Sequence, residues 1–242
     1  MKLGLLFSLV LLLSCTTRHT NREHVNTSVK STIPKQAILS DSISSNTEII
    51  EIFIDSLNIG KKGQSKIELI KHRVLDDMYV IVKFYTKGPR YWYLQNTYLY
   101  ECNVSMDLEP IISDFNNDKF NDITFVSAQA ARLSNDVRRL FIYDDREKQL
   151  ISIVNSEDYP NMLYNKELNC IDAFLIYGGS STVFARIEGD SLKTFASVNN
   201  DIYRTVYEID NSGKETLLRK DSIDPEDNYI RYINYKPLKK YK

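Results

Sequence analysis

Glycine and proline are scarce in this chain, at 8 and 6 of 242 residues. A collagen-like repeat or a Pro/Gly-rich disordered chain is thereby excluded. Histidine and cysteine are scarcer still, at 3 each, so chemistry built on imidazole or thiolate has few residues to draw on. Neither sign of charge is in excess: Lys+Arg number 31 and Asp+Glu 32, for a net charge of −1. A phosphate backbone calls for a clustered basic surface, so nucleic acid is not a partner this composition suits. Nor does any apolar run reach the roughly 20 residues that a helix needs to cross about 30 Å of hydrocarbon. What is present is 43% hydrophobic residues with Tyr 16 and Phe 10. That is enough to bury a core, as one domain or two small ones. Aromatic and β-branched residues suit a pleated, half-buried surface, so the composition leans towards sheet.

The longest apolar run, Leu3 to Leu13, follows Lys2 and has eleven residues. Its length and its basic flank read as an export signal over residues 1–14, not as a membrane span. The run ends in Leu12-Leu13-Ser14-Cys15, which resembles the bacterial lipobox. The resemblance implies that Cys15 is lipidated and becomes the mature N-terminus, and two or more acyl chains suffice for stable membrane attachment. Thr16 follows the anchor in place of an acidic retention signal, which by resemblance to lipoprotein sorting signals implies the outer membrane, with the chain facing the periplasm or the cell surface. Residues 15–47 are polar and without apolar periodicity, and read as a flexible tether. His19 and His24 lie in it, which leaves His72 as the histidine of the folded part.

From residue 48 to 242 the chain reads as a β-rich domain, or as two subdomains over 48–105 and 106–242. Short runs rich in Ile, Val, Phe and Tyr recur every eight to twelve residues between turn-forming clusters. Examples are Ile49 to Ile54, Lys66 to Val74, Tyr79 to Tyr85, Tyr91 to Tyr100, Asp122 to Ser127, Arg138 to Tyr143, Cys170 to Tyr177, Thr182 to Glu188 and Ile202 to Ile209. Alternation in Val80-Ile-Val-Lys-Phe-Tyr implies one buried and one wetted face. The fold class is all-β, with antiparallel sheets in a partial propeller-like or sandwich arrangement and few short helices. Helices are expected near Ser127 to Asn135, where Ala-Gln-Ala-Ala has helix propensity, and near Ser191 to Ser197. The tail from Tyr229 reads as a terminal strand with a solvated basic end. Cys102 and Cys170 form either a bridge or two separate buried thiols.

One segment carries chemistry. Asp114-Phe-Asn116-Asn-Asp118-Lys-Phe120-Asn-Asp122 sets side-chain oxygens at relative positions 1, 3, 5 and 9. Alternate residues in a curled loop converge, and hard cations take several oxygens at about 2.3–2.6 Å. The expected ion is calcium, held by Asp114, Asn116, Asp118 and Asp122 with the backbone carbonyl of Phe120, whose ring packs inward. Nitrogen- or sulfur-seeking metals find nothing to bind here. The alternative is an ion-free loop whose Asx side chains cap backbone amides.

The loop resembles the calcium loops of FG-GAP and VCBS-type repeats. With Leu140-Phe-Ile-Tyr143-Asp and Gln149-Leu-Ile-Ser-Ile downstream, the segment also resembles a family of Xanthomonas proteins whose members are calcium-binding, β-rich and exported, and structurally akin to periplasmic lysozyme inhibitors. The likeness covers roughly residues 108–221 and implies a β-rich, exported, calcium-binding protein. Lys119 stands where the family has glycine, which costs on the order of 1 kcal/mol for a left-handed turn and sets a positive charge beside the ligands.

Enzymatic motifs are missing: Gly-x-Ser-x-Gly, His-Glu-x-x-His, the P-loop and Gly-x-Gly-x-x-Gly do not occur. A serine triad would have to use His72, and nothing selects a glycosidase pair among the acidic residues. A non-enzymatic binding module of the cell envelope is expected instead. Tyr91-Trp92-Tyr93 with Lys87 and Arg90 is either an exposed patch or, for Trp92, core. Tyr177-Gly-Gly-Ser-Ser-Thr182 is a loop open to close approach. The alternatives are a lysozyme inhibitor, which the resemblance implies, and a structural component of an envelope complex. The partners expected are the membrane, through the anchor, and an envelope protein or lysozyme.

Overall fold

A computed structural model describes residues 47–102 and 106–241. The expected signal peptide, the Cys15 anchor and the tether up to residue 46 fall outside the described residues. Four strands, β1 (Thr47–Asp55), β2 (Ser65–Val74), β3 (Asp77–Lys87) and β4 (Trp92–Glu101), form an antiparallel sheet in that order. A second sheet joins β5 (Ile111–Ser113), β6 (Asp122–Ala130), β7 (Asn135–Asp144) and β8 (Gln149–Ser152). The third has six strands: β9 (Leu163–Asn165), β10 (Cys170–Ile176), β11 (Ser180–Glu188), β12 (Ser191–Asn200), β13 (Tyr203–Ile209) and β14 (Glu215–Ser222). A hairpin of β15 (Tyr232–Tyr235) and β16 (Leu238–Lys240) ends the fold. The all-β, antiparallel expectation holds, and no sheet closes into a barrel.

The sheets stack because their strands carry apolar residues on matching faces. On β3, Met78, Val80, Val82 and Phe84 are buried, while Tyr79, Ile81, Lys83 and Tyr85 turn the other way. Val80, Val82 and Phe84 meet Ile123, Phe125, Phe141 and Tyr143 of the second sheet in one core, which draws on residues from both sides of position 105. Leu140 and Ile142 point to the opposite face of β7 and join Ile171, Ala173, Ala185 and Leu192 in a second core. The unbroken apolar run Leu140-Phe-Ile-Tyr143 is thus a strand buried on both faces, and each such side chain is worth about 1.5–3 kcal/mol on burial. A third core, with Phe184, Val198, Val206 and Tyr232, lies between the six-stranded sheet and the terminal hairpin.

Two helices expected from propensity are strands. Ala128, Gln129 and Ala130 pair with Val137, Asp136 and Asn135 as the end of a strand buried from Asp122 to Ser127, and this pairing outweighs the few tenths of a kcal/mol per residue that alanine favours helix. Residues 191–197 lie in β12, paired with β11 and, from Ala196 on, also with β13, and the described chain contains only two single-turn 3-10 helices, Ser156–Asp158 and Pro225–Asp227. Cys102 and Cys170 are free thiols on the first and third cores, so no bridge joins them. The tail forms terminal strands as expected, and its Lys236, Lys239 and Lys240 are solvent-exposed, the last two in surface ion pairs. Lys239 pairs with Glu167 at 2.5 Å and Lys240 with Asp227 at 3.0 Å. Tyr241 donates its hydroxyl to Asp172, which is fully buried and also takes Arg231 Nε at 2.7 Å and Asn165 Nδ2 at 3.0 Å.

Candidate metal loop and a strained loop end

The segment from Asp114 to Asp122 links β5 to β6 and curls around its own amides. Asp114 accepts the amide N–H of Asp118 on Oδ1 at 3.1 Å and that of Lys119 on Oδ2 at 2.9 Å. Asn116 Oδ1 accepts the Asp118 N–H at 3.2 Å, and its Nδ2 donates to Asp118 Oδ2 at 2.9 Å. Asp118 Oδ1 takes the Phe120 N–H at 2.8 Å. Asn117 and Lys119 both have positive φ, 61° and 78°. Lys119 therefore makes the left-handed turn that the pattern assigns to glycine, and its amide bond to Asp114 helps offset the cost.

Asp122 begins β6 and has no solvent exposure. Its Oδ2 accepts the Phe115 N–H at 2.7 Å and its Oδ1 the Tyr143 N–H at 2.8 Å, so one carboxylate ties the loop to β7. Burial pushes its pKa up to about 8; the two amide bonds oppose the shift, and the nearby charges of Asp118 and Asp114 add to it. The Phe120 ring does pack inward, edge-on to Tyr143 at 5.5 Å. Asn121 fastens the loop to the β1–β2 connection: its Nδ2 donates to the Asn58 carbonyl at 2.9 Å, and its carbonyl accepts the Gly60 N–H at 2.7 Å. Gly60 has φ of 55°, and a Cβ there would sit 2.9 Å from Ser65 Oγ and the Tyr143 ring.

The structure thus brings Asp114, Asn116 and Asp118 into one Asx-bonded turn and sets Asp122 beneath it. Among the described residues, no three His, Cys, Asp or Glu side chains gather as a group that could hold a metal ion. The reason is local: Asp114 and Asp122 each direct both oxygens at backbone amides. His72 lies on β2 facing Tyr79, with ring centroids 6.3 Å apart. Trp92 is half-buried, its ring 5.9 Å from both Lys66 Nζ and Lys87 Nζ, and Tyr91 and Tyr93 are exposed.

A second feature went unread in the sequence. Ala131, Arg132 and Leu133, at the β6–β7 turn, have successive φ values of 49°, 56° and 73°. Three left-handed non-glycine residues in a row store strain of about 1–2 kcal/mol each, and Leu133 at their end is 70% exposed. Asn135 bonds the amide and the carbonyl of Ile176, both at 2.9 Å, which brings this turn beside the Tyr177-Gly-Gly loop. There Gly179 lies against Asn200, where a Cβ would meet the carbonyl oxygen at 2.2 Å, and Ser180 Oγ donates to the Asn228 carbonyl at 2.6 Å. Four segments meet, and each shows an apolar side chain: Leu133, Tyr177, Ile202 and Tyr229, with Ile202 76% exposed. The two glycines were the only sequence signal for this end.

No protein-family model matches this chain, and no curated protein sequence matches it. Among solved structures it is similar to a Xanthomonas type IV secretion system related protein, at 9% identity and a TM-score of 0.45, over 72% of this chain and 98% of that one.

Proposed function

We propose that the chain is a lipid-anchored, calcium-stabilised β-protein of the bacterial envelope that acts as a non-enzymatic binding module. The observation that carries the binding role is the knitted loop end, where Leu133, Tyr177, Ile202 and Tyr229 project from a rigid three-sheet frame. Apolar side chains held on a β-scaffold, Leu133 among them on left-handed backbone, suit recognition, because little entropy remains to be lost on binding. The anchor rests on the apolar run that ends in Cys15. Calcium is supported by the loop's donor chemistry, three carboxylates, one amide and the Phe120 carbonyl, all oxygen. A cation there would relieve the crowding of Asp114 and Asp118 on buried Asp122, in exchange for the Asn116–Asp118 bond.

The test is capture from envelope extract, with wild type beside Leu133→Asp and Ile202→Asp. A partner held by wild type and lost from both variants, at unchanged melting temperature, supports the reading. Equal capture by all three removes the loop end from the account. A second reading, inhibition of lysozyme, would use the exposed Arg132-Leu133 turn as the inserted loop. Lysis rates unchanged by micromolar protein would end it.

A further inference from the structure

Tyr91-Trp92-Tyr93 lies at one end of the first sheet, and that end has a charge of its own. β1 and β3 run towards it, β2 and β4 lead away, and the Lys87 N–H joins its two connections by a bond to the Gln64 carbonyl at 2.8 Å. Lys61, Lys62, Lys87 and Arg90 are exposed there, and among the described residues none of the four is in an ion pair. Lys61 lies near Asp145, which already pairs with Lys148 at 2.5 Å. With Lys66, this end of the sheet holds five cations against Asp55 and Glu68, a net of +3. Both acids are engaged: Asp55 accepts the amides of Asn58 and Ile59, and Glu68 takes Lys66 at 2.6 Å and the Tyr85 hydroxyl at 2.8 Å. At the opposite end the sign is reversed, and Glu48, Asp76, Asp77 and Glu101 outnumber Lys71 and Arg73.

Large side chains protrude among the free cations. Tyr91 is 70% exposed, Leu57 67% and Leu94 53%. The turn that presents them is stiff: Pro89 limits its backbone, the Gly88 N–H donates to the Tyr91 carbonyl at 2.8 Å, and the Tyr93 ring covers Gly88, where a Cβ would come within 1.9 Å of it.

We propose that this end of the first sheet docks on an anionic phospholipid bilayer, with the β3–β4 turn at headgroup depth. Tyr, Trp, Lys and Arg are the residues of the membrane–water interface, where the rings sit among the headgroups and the cations take the phosphates. Leu57 and Leu94 favour lipid over an acidic polymer, because only a bilayer has an apolar phase behind its charged layer. A protein partner fits less well, since protein interfaces are depleted of lysine and three of the four free cations are lysines.

The chain outside the described residues supports the same occupant. On the reading that Cys15 carries the anchor, residues 16–46 separate it from Thr47, a stretch of up to about 100 Å when extended, so the turn can reach the bilayer that holds the anchor. A weak site then suffices, because tethering gives an effective concentration near millimolar. Docking also sets a direction. The bridge from Gly60 to Asn121 puts the start of β6 at the docking end, and β6 runs from there to Ala130, which carries the Leu133 turn to the far side, open to a partner. The other acids of the docking end, Asp114, Asp118, Asp144, Asp145 and Glu147, lie on connections of the second sheet, which an anionic surface turns away from itself.

Trp92 is the only tryptophan of the chain, so its fluorescence reads this end alone. The first measurement uses the unit from Ile43 onward, which is compact by itself, contains all three cores and lacks the anchor. Chelator is present, so that calcium bridging plays no part. The unit should co-sediment with phosphatidylcholine vesicles containing about a third phosphatidylglycerol, and brominated lipid chains should quench Trp92. Phosphatidylcholine alone, or about 1 M salt, should weaken binding about tenfold or more. Lys87→Gln with Arg90→Gln should weaken it about 25-fold, at about fivefold per cation. Leu57→Ser should reduce both binding and quenching, whereas Lys214→Gln, on the β13–β14 turn, should change them by less than about twofold. In the full anchored chain, quenching should be present in wild type and lost in Lys87→Gln/Arg90→Gln. A folded wild-type unit that stays off anionic vesicles overturns the proposal, and so does equal binding by the variants at unchanged melting temperature. Polyphosphate bound as tightly as vesicles, with Leu57→Ser indifferent, would assign this end to an acidic polymer and overturn it too. The anchor-free measurements do not involve Cys15, so failure of the anchor reading and failure of this one are told apart.

Discussion

Asp122 shows how much one side chain is asked to do. It has no solvent exposure, joins the loop to β7 through two amides, and lies near two further carboxylates. If calcium occupies this loop, its affinity should resemble that of extracellular modules, about 10⁻⁴–10⁻³ M, and millimolar calcium then adds only about 0.4–1.4 kcal/mol by linkage. For a domain of this size that is a rise of a few degrees in melting temperature, reversed by chelator. Asp118→Ala should abolish the response while removing only two exposed side-chain bonds, to the Phe120 amide and to Asn116. An identical melting curve with calcium and with chelator would leave an amide-capped loop and no ion. At this scale the sequence was legible in part. The oxygen spacing announced a curled loop, and Phe120 turns inward as the spacing required. That Lys119 makes the left-handed turn follows from its bond to Asp114, and that the carboxylates face amides depends on where Phe115 and Tyr143 are held, which only tertiary packing decides.

Among the elements, the terminal hairpin is the clearest case of structure that periodicity could not reveal. Its strands are four and three residues long, too short for a pattern, and it is held by contacts some 60 to 70 residues away in sequence. Asp172 on β10 is the keystone, gathering Arg231, Tyr241 and Asn165 in the interior. Removing it leaves the Arg231 guanidinium, whose side chain is 17% exposed, without a counter-charge. Asp172→Ala should cost about 3 kcal/mol, the lower end of what breaking a buried pair costs. The same variant should speed proteolysis within 225–241 before the rest of the chain is cut. Urea denaturation and limited proteolysis read the two effects, and a loss below about 1 kcal/mol would mean that the third core alone holds the hairpin. The misread helices show the opposite limit. Ala128 to Ala130 carry a local preference, but the partner strand β7 and the two cores on its faces outweigh it. The long alternating strands β2 and β3 were legible because each has one face in a core and a period of two.

At the scale of the whole molecule, the tyrosines that make the composition unusual also make the fold sensitive to base. Burial, then a bond to Glu68, raises Tyr85 to about 12; burial, then a bond to Asp145, raises Tyr143 to about 12. Tyr98, Tyr100, Tyr159 and Tyr241 are shifted the same way, each chiefly by burial. A phenol whose folded pKa lies above the unfolded value of about 10 keeps its proton better in the native state. Its contribution to stability is complete below pH 10 and is lost as pH rises through the folded value near 12. These residues sit in different layers: Tyr98, Tyr100 and Tyr143 at the first core, Tyr159 in the second, and Tyr241 at the hairpin clasp. The loss should therefore be global, with melting temperature falling steadily above pH 10. Part of the phenolate absorbance should appear only as the chain unfolds, in one step shared with the loss of sheet signal. Smooth ionisation of all 16 tyrosines near pH 10 in a chain that stays folded would contradict the burial of these rings and, with it, the stacking of the sheets.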